Sequence, residues 1–163
     1  MRRIRWTALA LTIALAATAG AQLVHKSRQT QYAIASPPAA WKAIRIKDAD
    51  FAFFREEGGA SVIVNSTCGV QAHVPLPALI AHLALDLTDR KEEERRDVRI
   101  DDRAALAVVL SARLDGAAVK MDLRVVQIDA CVYDFSYVAP PEAYGRGHDE
   151  FEALVASFHA DRR

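Results

Sequence analysis

The sequence predicts an α+β fold: a single domain with a mostly antiparallel β-sheet of about six or seven strands and two main helices packed on it. Three observations predict this class. Apolar and polar residues alternate over several short segments, an Asp-Gly pair joins two of these segments, and two other segments repeat apolar residues at helical spacing. Because short turns connect most of the strands, neighbouring strands are expected to pair antiparallel.

The first 21 residues have the composition of a signal peptide. Three arginines within the first five residues precede an apolar stretch from Trp6 to about Ala19, and small residues at 19–21 permit cleavage before Gln22. An uncleaved anchor is the alternative, since about 15 apolar residues approach the length that spans a bilayer. The remainder is expected to be periplasmic or secreted, and inner-membrane anchored if the leader stays on.

The charge balance excludes some classes of partner. The 163-residue chain has 21 Lys plus Arg and 21 Asp plus Glu, and three of the arginines belong to the leader. The exported part is therefore slightly acidic, which argues against nucleic acid and against a polybasic membrane patch. Membrane contact is expected only through the N-terminal segment if it is uncleaved.

Residues 22–40 are predicted to be a flexible tether, because they are mostly polar and include Ser36, Pro37 and Pro38. The folded domain is expected over 41–161. It begins with three short strands in WKAIRI, FAFFRE and SVIVNSTC, and Gly58-Gly59 turns between the last two.

A helix is predicted over Pro75–Thr88, where leucine and isoleucine recur at three- and four-residue steps. The charged run RKEEERRD at 90–97 is then expected to be a solvated loop or a frayed helix end, with a docking surface as the alternative.

The second half is dominated by a predicted hairpin. Alternating runs at 104–114 and 117–128 flank Asp115-Gly116, which favours a tight turn with positive φ at both residues. The polar positions of the second run, Lys120, Asp122 and Arg124, predict a sheet with one solvated face. A further strand is expected in ACVYDFSYV, followed by a helix over Gly147–Ala160.

This order of elements resembles the PsbP-like α/β/α sandwich group. The resemblance rests on an exported domain over Trp41–Ala160, a helix after the first hairpin, the central DG hairpin and the closing helix FEALVASF. It implies an accessory or assembly protein without chemistry of its own, and it carries no functional residue onto this chain.

Cys68 and Cys131 are disulfide candidates, because export places them where disulfides persist. Two buried thiols that act as small apolar residues are the alternative.

No catalytic residue, metal site or cofactor is predicted. The five histidines are scattered, and no Cys or Ser has a recognisable base beside it. The segment Gly145, Arg146, Gly147 and His148 is a candidate anion site at the start of the last helix, with plain helix capping as the alternative.

Aromatic residues on the strands form a second candidate site. They are predicted either to line an apolar pocket or partner surface or to be ordinary core, and the set is Trp41, Phe53, Tyr133, Phe135 and Tyr137.

The function expected from these observations is a non-enzymatic exported accessory or binding module that engages an envelope protein or assembly. The alternative is a carrier of a small apolar ligand, such as a lipid, in a pocket between sheet and helix.

Overall fold

The computed structural model describes residues 21–161, so the predicted signal peptide lies outside the described residues except for Ala21. The helices of the described part are α1 (Leu76–Leu83) and α2 (Gly145–Ala156). The strands are β1 (Gln22–Lys26), β2 (Gln31–Ala35), β3 (Trp41–Ala43), β4 (Phe51–Arg55), β5 (Ala60–Cys68), β6 (Thr88–Ile100), β7 (Arg103–Leu114), β8 (Ala117–Ile128), β9 (Cys131–Ala139) and β10 (His159–Ala160).

Seven strands form the main sheet in the order β3-β4-β5-β9-β8-β7-β6, with every neighbouring pair antiparallel. A small second sheet has the order β1-β2-β10. The chain leaves the middle of the main sheet after β5 and reaches its far edge at β6 through α1. The predicted α+β class, the single domain and the mostly antiparallel sheet are confirmed.

Helix α1 covers one face of the main sheet, which we call the α1 face. It buries Leu79 and Ile80 against β7 and β8, and the apolar core between them also contains Leu106, Val108, Leu110, Val119, Met121, Leu123, Val125 and Val132. The helix is shorter than predicted and ends at Leu83, where the N–H groups of Ala84 and Leu85 donate to the carbonyls of Ile80 and His82.

Helix α2 and strand β2 cover the opposite face, which we call the α2 face. Its core is rich in aromatic residues, and Phe151 and Phe158 pack on the rings of β9. Both faces of the sheet are therefore buried, and each carries its own apolar core.

The prediction of a flexible tether over residues 22–40 is wrong. Strand β2 pairs with β1 on one side and β10 on the other, and its Tyr32 and Ile34 are 1% and 0% exposed. The period-two alternation of QYAIA was the available signal, and burial of these two side chains in the α2-face core holds the segment in place.

The prediction of a loop or frayed helix at RKEEERRD is also wrong. These residues belong to β6, which pairs with the apolar strand β7 at the edge of the sheet. A charged edge strand is a common protection against edge-to-edge aggregation, and the salt bridge between Glu92 and Arg95 shows opposite charges satisfying one another along it.

The prediction of a solvated face on β8 is wrong because helix α2 covers that face. Asp122 and Arg124 are buried beneath that helix, while Lys120 is half-buried beside the ring of Tyr144. Helix α2 begins at Gly145, two residues before the predicted start.

The Asp115-Gly116 turn is confirmed. The two residues have φ of 49° and 83°, the left-handed geometry that a two-residue hairpin needs. Within residues 21–161, no helix has the length and apolar character needed to cross a membrane.

Candidate functional site

Four polar side chains meet between β8 and α2. Asp122 and Arg124 point to the same face because they are two residues apart on a strand, and His148 and Glu152 align because they are one turn apart on a helix. Arg124 donates from Nε and Nη2 to the two oxygens of Asp122 at 3.0 and 2.7 Å, and from Nη1 to Glu152 at 3.0 Å. His148 Nε2 donates to Asp122 Oδ2 at 2.9 Å.

The network keeps its charges in spite of burial. Burial raises the pKa of Asp122, but the hydrogen bonds from His148 and Arg124 outweigh it and leave that pKa below its usual range. Burial likewise opposes the charge of Arg124, and hydrogen bonds to Asp122 and Glu152 leave its pKa raised. We refer to these four residues as the charge network.

Three members of the charge network have the types and spacing of metal ligands. One ligand atom from each of Asp122, His148 and Glu152 lies within 4.8 Å of the others. Arg124 already supplies the positive charge at this point, since its guanidinium binds both carboxylates. A metal ion would have to displace this arginine, so the geometry favours an ion-pair network over a metal centre.

An open cleft of about 500 Å³ lies beside the charge network, between α2 and the hairpin of β6 and β7. Arg124 and Glu152 form part of its wall. Its other charged lining residues include Arg96, Arg99 and Asp101, and its apolar lining includes Val98, Val155 and Phe158. We call this the α2 cleft.

A second open cleft, of about 530 Å³, lies where β1 meets the loop between β3 and β4. It is lined by Leu23, Phe51 and the exposed side chains of Ile44 and Ile46. Among its described lining residues, the one largely buried charged side chain is Asp50, which accepts hydrogen bonds from the hydroxyl groups of Tyr32 at 2.9 Å and Ser66 at 2.5 Å.

The predicted aromatic site is part of the core and is not a surface. All five of its residues are buried, with Phe135 and Tyr137 at 0% exposure. Tyr137 stacks on Phe151 and Phe135 contacts Phe158, so aromatic rings fill the space between sheet and helix that the carrier alternative requires. Phe53 and Tyr133 each reach the wall of an open cleft. Mutual burial of these rings is the reason that the surface prediction fails.

The residues of the predicted anion site take different roles. His148 joins the charge network, and Gly147 lies so close to Trp41 that a β-carbon there would stand 2.9 Å from Cζ2 of the indole. The carbonyl of Arg146 accepts a hydrogen bond from Arg55 at 2.7 Å, and a β-carbon on Gly145 would meet nothing within 4 Å. Anion binding at this segment stays a prediction.

The Cys68–Cys131 disulfide is present. The two residues lie directly opposite each other in the β5–β9 register, with their Cα atoms 4.0 Å apart. The bridge joins two central strands of the sheet and borders a shallow cleft of about 290 Å³ that includes Gln29 and Asp129.

Sequence reasoning missed the charge network, although it singled out His148 for another purpose. The alternation of Asp122 and Arg124 was visible, and so was the four-residue step from His148 to Glu152. What could not be seen was that the two pairs face each other, because this depends on how α2 crosses the sheet.

No protein-family model matches the sequence, and no curated protein matches it either. Solved structures do match. Cyanobacterial PsbP from Synechocystis sp. PCC 6803 superposes with a TM-score of 0.58 at 10% identity, covering 91% of this chain and 99% of that one. The fold is therefore PsbP-like, as the order of elements predicted.

Two further structures share this fold. The Ran-binding protein Mog1p of Saccharomyces cerevisiae gives a TM-score of 0.59 at 11% identity, covering 86% of this chain and 96% of that one. LpqN of Mycobacterium tuberculosis, described as involved in cell envelope biogenesis, gives 0.57 at 10% identity, covering 86% and 90%. This chain spans 46% of the length of a longer similar structure from Bacteroides thetaiotaomicron.

Proposed function

We propose that this protein is an exported accessory module that binds a partner protein of the cell envelope through the α2 cleft. One observation carries the proposal. The wall of an open surface cleft includes Arg124, which is buried and held by hydrogen bonds to Asp122 and Glu152, so the charged groups at this point are pre-organised before any partner arrives.

The chemistry of the α2 cleft suits a protein surface. Arg96 and Arg99 supply positive charge, Glu152 supplies negative charge, and the half-buried Val98 supplies apolar area. Protein interfaces commonly have an apolar centre with a polar rim, and charges of both signs on the rim select a partner with the opposite pattern.

Two observations support export. The first 21 residues have a signal-peptide composition, and the Cys68–Cys131 disulfide belongs to the class of bond that persists outside the cytoplasm.

LpqN is described as involved in envelope biogenesis and Mog1p as Ran-binding, which are roles in assembly and recognition. At such low identity they support a binding role only by analogy.

Photo-cross-linking in the native host tests the partner and its site together. A photoreactive amino acid at position 99, in the α2 cleft, is expected to trap an envelope protein. The matched control is position 113, an exposed arginine at the end of β7 that is remote from the turn between β6 and β7. Arg99→Glu should then reduce recovery of the trapped protein from cell envelopes, and Arg113→Glu should not. Equal adducts from both positions, or none from position 99, would refute the proposed site.

Location is tested separately by N-terminal sequencing of the envelope fraction. We expect a mature N-terminus at or near Gln22, the first residue of β1. An intact Met1 there would make the leader a membrane anchor, and confinement of the protein to the cytoplasm would refute export.

A further inference from the structure

A small pocket opens on the α1 face, on the other side of the sheet from the α2 cleft. It has a volume of about 130 Å³ and lies between α1 and strands β5, β8 and β9. Leu79, Leu83, Val125 and Val132 give it apolar walls, the exposed residues Thr67 and His82 lie at its rim, and Asp134 is the remaining lining residue. We call it the Asp134 pocket.

Asp134 is buried without a cation. The residue is 9% exposed, and its carboxylate accepts one hydrogen bond, from Asn65 Nδ2 at 3.2 Å. Among residues 21–161, no nitrogen of Lys, Arg or His lies within 4.0 Å of it. Buried carboxylates in proteins are normally paired or neutralised, so this one has an unmet need for positive charge or a proton.

A second buried acceptor lies beside it. Oδ1 of Asn65 is buried and has no hydrogen-bond partner among the described residues, and it belongs to the same amide that contacts Asp134. Asp134 is therefore an under-satisfied acceptor in the pocket lining, and the amide oxygen of Asn65 is a second one next to it, outside the lining residues. This pattern is complementary to a ligand that brings several N–H donors.

The size and lining narrow the ligand class. A cavity of about 150 Å³ is large enough for benzene, so the Asp134 pocket has room for an aliphatic chain of about four carbons. An ammonium group carries three donors on a compact centre, whereas a guanidinium would bring five donors to a single carboxylate. A divalent metal would require more oxygen ligands than one carboxylate and one amide supply.

We propose that the Asp134 pocket binds an alkyl primary ammonium group, with the ammonium at Asp134 and the chain against the leucine and valine walls. The same chemistry comes from a free aliphatic amine or from a lysine side chain of a partner protein. The inference does not rest on the α2 cleft, which lies on the opposite face.

Protonation of the carboxyl would compete with the amine. Burial raises the pKa of Asp134 to about 6, the hydrogen bond from Asn65 lowers it, the charge of Asp50 raises it and His82 of α1 lowers it. Because only the ionised acid attracts an ammonium group, affinity should weaken by roughly tenfold for each pH unit below about 6.

The test is an NMR titration of the disulfide-bonded protein with n-butylammonium chloride at pH 7.5, with 1-butanol as the neutral probe of the same shape. Saturable shifts are expected at residues 67, 82 and 134, and butanol should bind about tenfold more weakly or less. Asp134→Asn should weaken butylammonium binding by about tenfold or more. The matched control is Asp86→Asn, which removes an exposed carboxylate after α1.

A second variant guards against loss of folding at position 134. Thr67→Phe places a large side chain at the exposed rim and should block the amine while the rest of the sheet stays intact. N-acetyl-lysine N-methylamide distinguishes the sources: binding that matches butylammonium supports a partner lysine, and binding by butylammonium alone supports a free amine. No saturable binding, equal binding by butanol, or unchanged binding in both Asp134→Asn and Thr67→Phe would overturn the proposal.

Discussion

The two faces of the main sheet bury an aspartate in opposite ways. On the α2 face, Asp122 is 0% exposed and accepts hydrogen bonds from Arg124 and His148. On the α1 face, Asp134 is 9% exposed and accepts one hydrogen bond, from the neutral amide of Asn65. The pKa of Asp122 is lowered and that of Asp134 is raised to about 6.

The difference shows which buried charge serves the fold and which is free to serve a ligand. In a fully paired carboxylate, the ion pairs and hydrogen bonds within the protein offset the desolvation penalty, so the group has little further affinity for cations. A carboxylate that is unpaired still carries its desolvation cost, and a cation that relieves this cost gains affinity. We therefore assign Asp122 to holding the α2 cleft and Asp134 to binding.

The largest effect is expected from breaking the pair on the α2 face. Arg124→Met leaves Asp122 buried without its main partner, so the free energy of unfolding should fall by roughly 3–5 kcal/mol. Urea denaturation at pH 7 measures this fall. The double variant Asp122→Leu, Arg124→Met removes both charges and should recover much of the loss. A single variant as stable as the native protein would contradict the role of the pair.

The next largest effect on the free energy of unfolding is expected from the disulfide. This bridge joins the strands that carry Asn65 and Asp134. Replacing Cys68 and Cys131 by alanine should lower the free energy of unfolding by roughly 2–4 kcal/mol, mainly because the unfolded chain is no longer restricted. The contrast between the two aspartates should survive, since neither contacts a cysteine. A thiol count on denatured protein that was expressed in a periplasm should find no free thiol, and two free thiols would contradict the bridge.

On the α1 face, a smaller change of opposite sign in the free energy of unfolding is expected from replacing Asp134. The pKa of Asp134 rises from 3.8 to about 6 on folding, so the folded state binds more protons in this range and stability is lost as the pH rises through it. Asp134→Asn removes this loss. The variant should be more stable than the native protein by on the order of 1–2 kcal/mol at pH 8 and about equal to it at pH 3.5. Thermal unfolding at the two pH values provides the comparison, and a destabilised variant at pH 8 would mean that Asp134 is satisfied as it stands.

Local sequence patterns predicted the fold well where residues close together in the chain determine the structure, as in tight turns and amphipathic helices. The positive φ of Asp115 and Gly116 follows from the turn chemistry of that pair, and helix α2 follows from its apolar spacing. Strand β6 could not be predicted from its charged residues, because they take their strand conformation from pairing with β7. The apolar residues are on β7, so the charged segment itself has no strand signal. Tertiary pairing overrides local composition there.

The candidate sites were less predictable than the fold. Period two placed Asp122 and Arg124 on one side of β8, but the solvated assignment failed because α2 returns over that face from the end of the chain. Asp134 was visible as a polar residue in an aromatic strand. Its isolation from cations depends on the register with β5, which places the amide of Asn65 opposite it.

The contrast between the two aspartates is tested most directly by following the carboxyl carbons of Asp122 and Asp134 by NMR as a function of pH. The paired acid should titrate below its usual range because of Arg124 and His148, and the unpaired acid should titrate at about 6 because of burial. Addition of n-butylammonium should lower the pKa of Asp134 and leave that of Asp122 unchanged. If both acids titrate near 4, or if the amine moves neither, the assignment of Asp122 to structure and of Asp134 to amine binding is wrong.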